Sequence, residues 1–242
     1  DQVAGGIDPG TQAGRGHPAS DQGVRPGVLR GQVEAMDAAL DRGQGRQLVA
    51  AVEALMARDS ELADSIIRGD DRIDELEEEI DQLVVRLLAT RQPMAIDLRV
   101  IAMALKISND LERMGDYATN IAKRTRRINV HQPLKPLITI PLMAGICRSM
   151  VKDVLDAYIE RDDRKAMEVW HRDPEVDEYY NQLFRELLTY ILEDPKLTGV
   201  CIDLMFVAKN LERIGDHATN IAEKIHYMIH GDQLHRPRSD AP

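Results

Sequence analysis

From Leu48 onward, apolar residues recur at a helical period. Leu48, Val49, Val52, Leu55 and Met56 form one stripe. Asp59 and Ser60 interrupt it before Leu62, Ile66 and Ile67 resume it, so the pattern predicts a helix kinked near Arg58-Asp59. Gly69-Asp70-Asp71 breaks that helix. A second runs from about Asp71 to Arg91, with Ile73, Leu76, Ile80, Leu83, Val84, Leu87 and Leu88 as its buried stripe. Pro93 is placed to open a third, which reaches about Arg127. Three prolines within His131 to Pro141 mark a linker. Beyond it, a helix from about Pro141 to Arg161 carries Met143, Ile146, Met150, Val151, Val154, Leu155 and Tyr158 on one face. A fifth helix starts at Pro174, turns Leu183, Phe184, Leu187, Leu188 and Ile191 inward, and ends at Asp194-Pro195. A sixth runs from about Thr198 to Tyr227, and a polar tail covers 231–242.

The two halves repeat one plan. Leu111-Glu112-Arg113-Met114-Gly115-Asp116-Tyr117-Ala118-Thr119-Asn120-Ile121-Ala122 returns a hundred residues later as Leu211 to Ala222, with ten of twelve positions identical. At an offset of 103, Arg161-Asp162 matches Arg58-Asp59, Ala166 matches Ala63, Asp173 matches Asp70 and Asp177 matches Asp74. The expected fold is therefore all-α: two tandem three-helix bundles, over 47–130 and 137–230, related by an internal repeat.

Residues four apart on a helix lie one turn above each other. Glu112, Asp116 and Asn120 thus form one polar ladder, and Glu212, Asp216 and Asn220 another. Two carboxylates at this spacing repel by a few tenths of a kcal/mol. Gly115 and Gly215 each cost about 1 kcal/mol in a helix interior. Such ladders are usually solvated faces, and Arg113 or Arg213 could neutralise them. Repetition of the costs at one spacing argues instead for a shared geometry.

Residues 1–46 differ from the body. Ten of the sixteen glycines lie there, with no Lys, Phe, Tyr or Trp and no apolar period. They read as a disordered segment or as an artefactual, out-of-frame start. By the 103 offset, Met143, Ile146 and Met150 would map to Leu40, Gly43 and Gln47, so unit one lacks the first half of a helix that unit two has.

Composition narrows the function. With 31 Lys+Arg against 41 Asp+Glu the formal charge is -10, which argues against a nucleic-acid-binding body. Aromatics are 4%, which suits helix-on-helix packing more than a sheet. No apolar run approaches a membrane span. Cys147 and Cys201 lack a CxxC context and read as free thiols in a reducing compartment, so a cytoplasmic protein is expected.

The duplicated ladder and the two three-helix units resemble the PhoU family of phosphate-signalling proteins. The resemblance spans about Leu48 to His230 and rests on LERMGDYATNIAKR (Leu111 to Arg124), FVAKNLERIGDHATNIAE (Phe206 to Glu223), RQPMAIDLR (Arg91 to Arg99) and RIDELEEEI (Arg72 to Ile80). It implies a cytoplasmic, homodimeric adaptor between the ATPase of the phosphate ABC transporter and a sensor histidine kinase, repressing the phosphate-starvation response and phosphate uptake. It also implies divalent-metal binding through E/D-xxx-D motifs, here Glu112 with Asp116 and Glu212 with Asp216. Asn120 and Asn220 continue the ladders, and Asp74 and Glu78 are second-helix candidates. Asp177 matches Asp74, but Asn181 replaces the acid at Glu78, so the two halves are unequal. Residues 1–46 depart from the family, whose members have an apolar first helix there.

Carboxylates without Cys or clustered His suit Mg, Mn or iron, and the resemblance adds Zn. No nucleophile with its base and no Walker loop is present, so no turnover is expected. Two other readings compete. A di-iron carboxylate-bundle enzyme would use Glu168-Val-Trp-His171 and Glu223-Lys-Ile-His226. A purely structural dimerisation module would leave the ladders as solvated faces.

Overall fold

The structure is a computed structural model that describes residues 46–91, 93, 95–132 and 138–234. Expectations for 1–45 and for the tail from 235 lie outside the described residues. All regular structure in the described residues is helical. The helices are α1 (46–57), α2 (Ser60–Arg68), α3 (Asp71–Arg91), α4 (Ile96–Ile128), α5 (Thr139–Glu160), α6 (Asp163–Trp170), α7 (Asp173–Glu193) and α8 (Thr198–His230), with a 3-10 turn at Pro195–Leu197.

Each unit has three arms, and its first arm is broken in two. The kink expected at Arg58-Asp59 is a full interruption, repeated at Arg161-Asp162. Arg58 and Arg161 take left-handed φ values of 55° and 56°, which costs a non-glycine residue roughly 1–2 kcal/mol. The following aspartate restarts the helix. Asp59 Oδ1 accepts from the backbone N–H of Glu61 and Leu62, both at 2.9 Å. Asp162 Oδ1 accepts from Lys165 N at 3.1 Å. These are N-caps that satisfy orphan donors. In unit one the Arg58 guanidinium also donates to the carbonyls of Ile128, Asn129 and His131, closing the open end of α4. The α6 segment therefore continues the fourth predicted helix after a break, which its short polar sequence concealed.

Helices α4 and α8 form the centre. Asp110 of α4 meets His217 and Lys224 of α8, while Arg124 meets Asp203. Low numbers on one helix pair with high numbers on the other, so the two run antiparallel. Around this pair, α2 and α3 pack on α4, and α5, α6 and α7 pack on α8. The core is aliphatic: Ile107, Leu111, Ile121, Met150, Leu155, Leu183, Leu187, Leu211 and Ile221 are fully buried. Leu88, Phe184 and Leu188, expected inside, are exposed. One neighbouring helix covers only one row of an apolar stripe. Leu183 and Leu187 occupy that row on α7, leaving Phe184, Leu188 and Leu192 on the open flank.

Several helix ends also differ from expectation. Pro93 precedes α4, which starts at Ile96, and α5 starts at Thr139 with Pro141 in its first turn, where an N–H is not needed. Gly231, at φ 89°, stops α8 three residues beyond Tyr227. A Cβ there would collide with the Arg99 guanidinium, which donates through Nη2 to Ile229 O at 3.4 Å.

Candidate functional site

In unit one, Glu112 on α4 faces α3. Burial pushes its carboxyl above the ordinary 4.5. The charge of Asp116 one turn away adds to that rise, Arg113 opposes it, and Glu77 and Asp74 from α3 raise it further. Four acids thus lie close enough to feel one another where α3 packs on α4: Glu112, Asp116, Asp74 and Glu77. The opposing cation is weakly placed, with Arg113 Nε 3.7 Å from Glu112 Oε2 and its side chain largely exposed. Just beyond, Thr119 Oγ1 donates to Asp70 Oδ1 at 2.9 Å and accepts from Gln47 Nε2 at 3.1 Å. This pins the start of α3 against α4 and α1.

In unit two, Asp216 on α8 faces α7. Its carboxyl is also pushed up, first by burial, then by Glu212 and by Asp173 from α7; Lys209 opposes and Asp177 adds a little. Glu212 is half-buried. Its Oε1 receives Lys209 Nζ at 2.6 Å. Its Oε2 is buried with no hydrogen-bond partner among the described residues. Such an orphan carboxylate oxygen inside an acidic groove fits a bound cation. α7 lies close to α8 at Gly215, where a Cβ would meet both Val176 methyl groups at 3.4 Å, about van der Waals contact.

The expected site residues divide. Glu112, Asp116 and Asp74 come together, as do Glu212, Asp216 and Asp177. Glu78 is exposed and receives Gln82 Nε2 at 3.4 Å, while Glu77 takes the place facing Glu112. Asn220 lines a different groove, with Met103, Lys106, Glu223 and Tyr227. Asn120, its counterpart on α4, is half-buried. Helical geometry explains the divergence: with 3.6 residues per turn, each step of four rotates a side chain by about 40°. The third rung therefore lies about 80° from the first. Glu77 and Asp173 were missed, although the repeat had already aligned Asp173 with Asp70. Glu168 and His171 are exposed, unlike the inward-projecting set of a di-iron bundle, and Glu223 Oε1 instead receives Trp170 Nε1 at 3.0 Å.

Unit two has a built-in cation in Lys209. The corresponding residue in unit one is Asn109, which is exposed. Lys209 therefore gives unit two a cation that unit one lacks at the equivalent position. Oxygen donors from two helices, half-buried except for the exposed Asp74 and Asp177, suit a hard or intermediate divalent ion.

A family profile described as the PhoU domain matches residues 45–125 and again 140–225. A phosphate-specific transport system accessory protein PhoU homolog of Caulobacter vibrioides is 50% identical over 197 residues, covering 80% of this chain and 86% of that protein. A protein of the same description from Zymomonas mobilis is 48% identical over 187 residues, 77% and 79% of the respective chains. Among solved structures, PhoU from Pseudomonas aeruginosa superposes with a TM-score of 0.82 at 35% identity, covering 85% of this chain and 99% of that one. The phosphate transport system regulatory protein PhoU from Streptococcus pneumoniae also gives 0.82, at 26% identity, with 88% and 100% covered.

Proposed function

Because this chain belongs to the PhoU family, we propose that it is an accessory regulator of phosphate transport, working by docking to other proteins rather than by turnover. Its partners are the ATPase subunit of the phosphate ABC transporter and a sensor histidine kinase. It keeps the phosphate-starvation response and phosphate uptake repressed when phosphate is plentiful. It acts on the cytoplasmic side, as a homodimer. No helix among the described residues is long and apolar enough to cross a membrane, which suits a protein that reaches the transporter from outside the bilayer.

The observation that carries the reading is the duplicated family domain, which presents two related acidic grooves on one body. Glu112, Asp116, Asp74 and Glu77 would hold a divalent cation in unit one; Glu212, Asp216, Asp173 and Asp177 would hold one in unit two. The ion would offset the like-charge cost of each groove and fix α3 on α4 and α7 on α8, shaping the faces offered to partners. Gene deletion tests the regulatory role. The starvation response should then stay on in phosphate-rich medium. A deletion strain that represses normally, together with purified protein that captures neither the ATPase nor the kinase, would refute the reading.

A further inference from the structure

Away from both acidic grooves, α6 and the end of α8 bring together Asp163, His226 and His230. His226 Nδ1 lies 2.8 Å from Asp163 Oδ1, and His230 Nε2 lies 3.0 Å from Asp163 Oδ2. The two imidazoles are four residues apart on one helix, hence on one face, with ring centroids 4.6 Å apart. One ligand atom from each of the three residues falls within 4.8 Å of the others. Asp163 is the first residue of α6, and the Asp162 cap holds that turn in place.

We propose that Asp163, His226 and His230 form a second kind of metal site, one that takes a borderline divalent ion of the Zn2+ type.

The donor set distinguishes it from the grooves. Two neutral imidazoles and one carboxylate suit zinc and its neighbours, with a fourth position left for water. Tetrahedral Zn2+ with bonds of about 2.0–2.1 Å spaces its ligand atoms about 3.3 Å apart, so small side-chain adjustments close the site around an ion. Access is open on one side, because the His230 side chain is 45% exposed while His226 is 16%. The last turn of α8 carries the negative end of the helix dipole, which favours a cation there.

The fold does not require these residues. At the repeat offsets, unit one has Ser60 in place of Asp163, Arg126 in place of His226 and Val130 in place of His230. There Arg126 Nε bonds Asp64 Oδ1 at 3.0 Å, so an ordinary ion pair joins the equivalent helices. The competing role for the histidines is the same kind of pin, with imidazole N–H groups bonded to Asp163. Metal uptake separates the two roles.

The test uses the full chain without an affinity tag, stripped with a chelator and titrated with Zn2+ against a chromophoric competitor. Four proteins are compared: the unsubstituted chain, His226→Gln/His230→Gln, Asp163→Asn, and Asp116→Asn/Asp216→Asn. We expect one Zn2+ per chain that the groove variant retains and the histidine variant loses. Asp163→Asn should weaken that uptake by about tenfold or more, at least what loss of a supporting partner costs a metal site. Co2+ in place of Zn2+ should give visible d–d bands that vanish in the histidine variant. Helical circular dichroism checks folding, and if the double variant is unfolded, His230→Gln alone decides, since that side chain is the most exposed of the three. Zn2+ uptake with unchanged stoichiometry and affinity in a folded histidine variant would overturn the proposal. So would uptake lost in the groove variant and kept in the histidine variant. The site does not rest on the regulatory reading, so either can fail alone.

Discussion

Tyr117 and His217 stand at the same position of the two repeated helices, and they touch. Their ring centroids are 5.6 Å apart, with Tyr117 Oη 3.5 Å from His217 Nε2. A position that meets its own counterpart lies near a local two-fold axis, so α4 and α8 pack as a pseudo-symmetric antiparallel pair. The symmetry is imperfect. His217 Nδ1 turns to Asp110 Oδ1 at 2.9 Å, and Lys224 Nζ reaches Asp110 Oδ2 at 2.6 Å. On the other side, Asp203 receives Arg124 at 2.6 Å and Arg127 at 3.4 Å. Each half of the interface is held by one buried aspartate.

Asp110→Ala should therefore destabilise the whole body. It takes away the carboxylate partner of Lys224, leaving that ammonium on the Asn220 carbonyl at 3.3 Å, and removes the group that orients His217. Breaking a buried pair from one side costs about 3–5 kcal/mol. Urea unfolding should show a loss of that order, with Asp203→Ala similar. A loss under about 1 kcal/mol for both would mean that the aliphatic core alone holds the units together.

The acidic grooves should depend on pH in the opposite sense to a normal salt bridge. Glu112 and Asp216 sit above their ordinary values of 4.5 and 3.8. Over that window the native protein binds more protons than the unfolded chain, so stability falls as pH rises through it and stays lower above. Below the ordinary values the penalty is absent. In metal-free protein at pH 7, Glu112→Gln and Asp216→Asn should each stabilise, by about 0.2–0.5 kcal/mol per relieved like-charge neighbour. The gain should fade in acid. The same variants should lose bound divalent metal. Destabilisation of the metal-free protein by both would show that these acids make favourable contacts instead.

Much of this was legible in the sequence, for reasons that particular residues make plain. Arg58-Asp59 announced its break because an interrupted stripe is a local signal, and the repeat carried the same pair to Arg161-Asp162. Glu112 could be placed beside Asp116, and Glu212 beside Asp216, because i, i+4 spacing is set by one helix. Asn220 was misplaced because the same spacing drifts around the helix. Phe184 and Leu188 were misplaced because the width of a stripe does not say how many neighbours cover it. Asp163 with His226 was invisible for another reason: 63 residues separate them, and only the packing of α6 on α8 joins them.

Lys209 sets a difference between the grooves. Its ammonium already neutralises Glu212, with Nζ 2.6 Å from Oε1, and so competes with an incoming cation. Lys209→Gln should strengthen divalent binding in unit two by about tenfold, since one unit charge at close range near a protein surface is worth a few kcal/mol before screening. Titrations with Mn2+ should show two unequal sites in the unsubstituted chain, the tighter abolished by Glu112→Gln. Two sites of equal affinity in the unsubstituted chain would remove Lys209 from the account.

Arg113 and Arg213 flank the ladders and remain exposed. Arg113 leans on Glu112, and the Arg213 guanidinium lies 5.6 Å from the centre of the Tyr117 ring. Neither is part of the core, so reversing them should leave the helices intact. If the ladder faces form the docking surface, these are exposed positive charges on it. Reversal then places like charges against any acidic contact on the partner. Arg113→Glu with Arg213→Glu should weaken capture of the transporter ATPase or the sensor kinase by about tenfold or more, 1.4 kcal/mol per decade. The effect should shrink in high salt, because exposed charges are screened over about 10 Å at 0.1 M. Metal content must be measured alongside, since an added carboxylate beside Glu112 could tighten the unit-one groove. Capture unchanged at low salt in a folded, normally metallated variant would move the docking surface elsewhere. The exposed apolar row Phe184, Leu188 and Leu192 on α7 would be the next place to test.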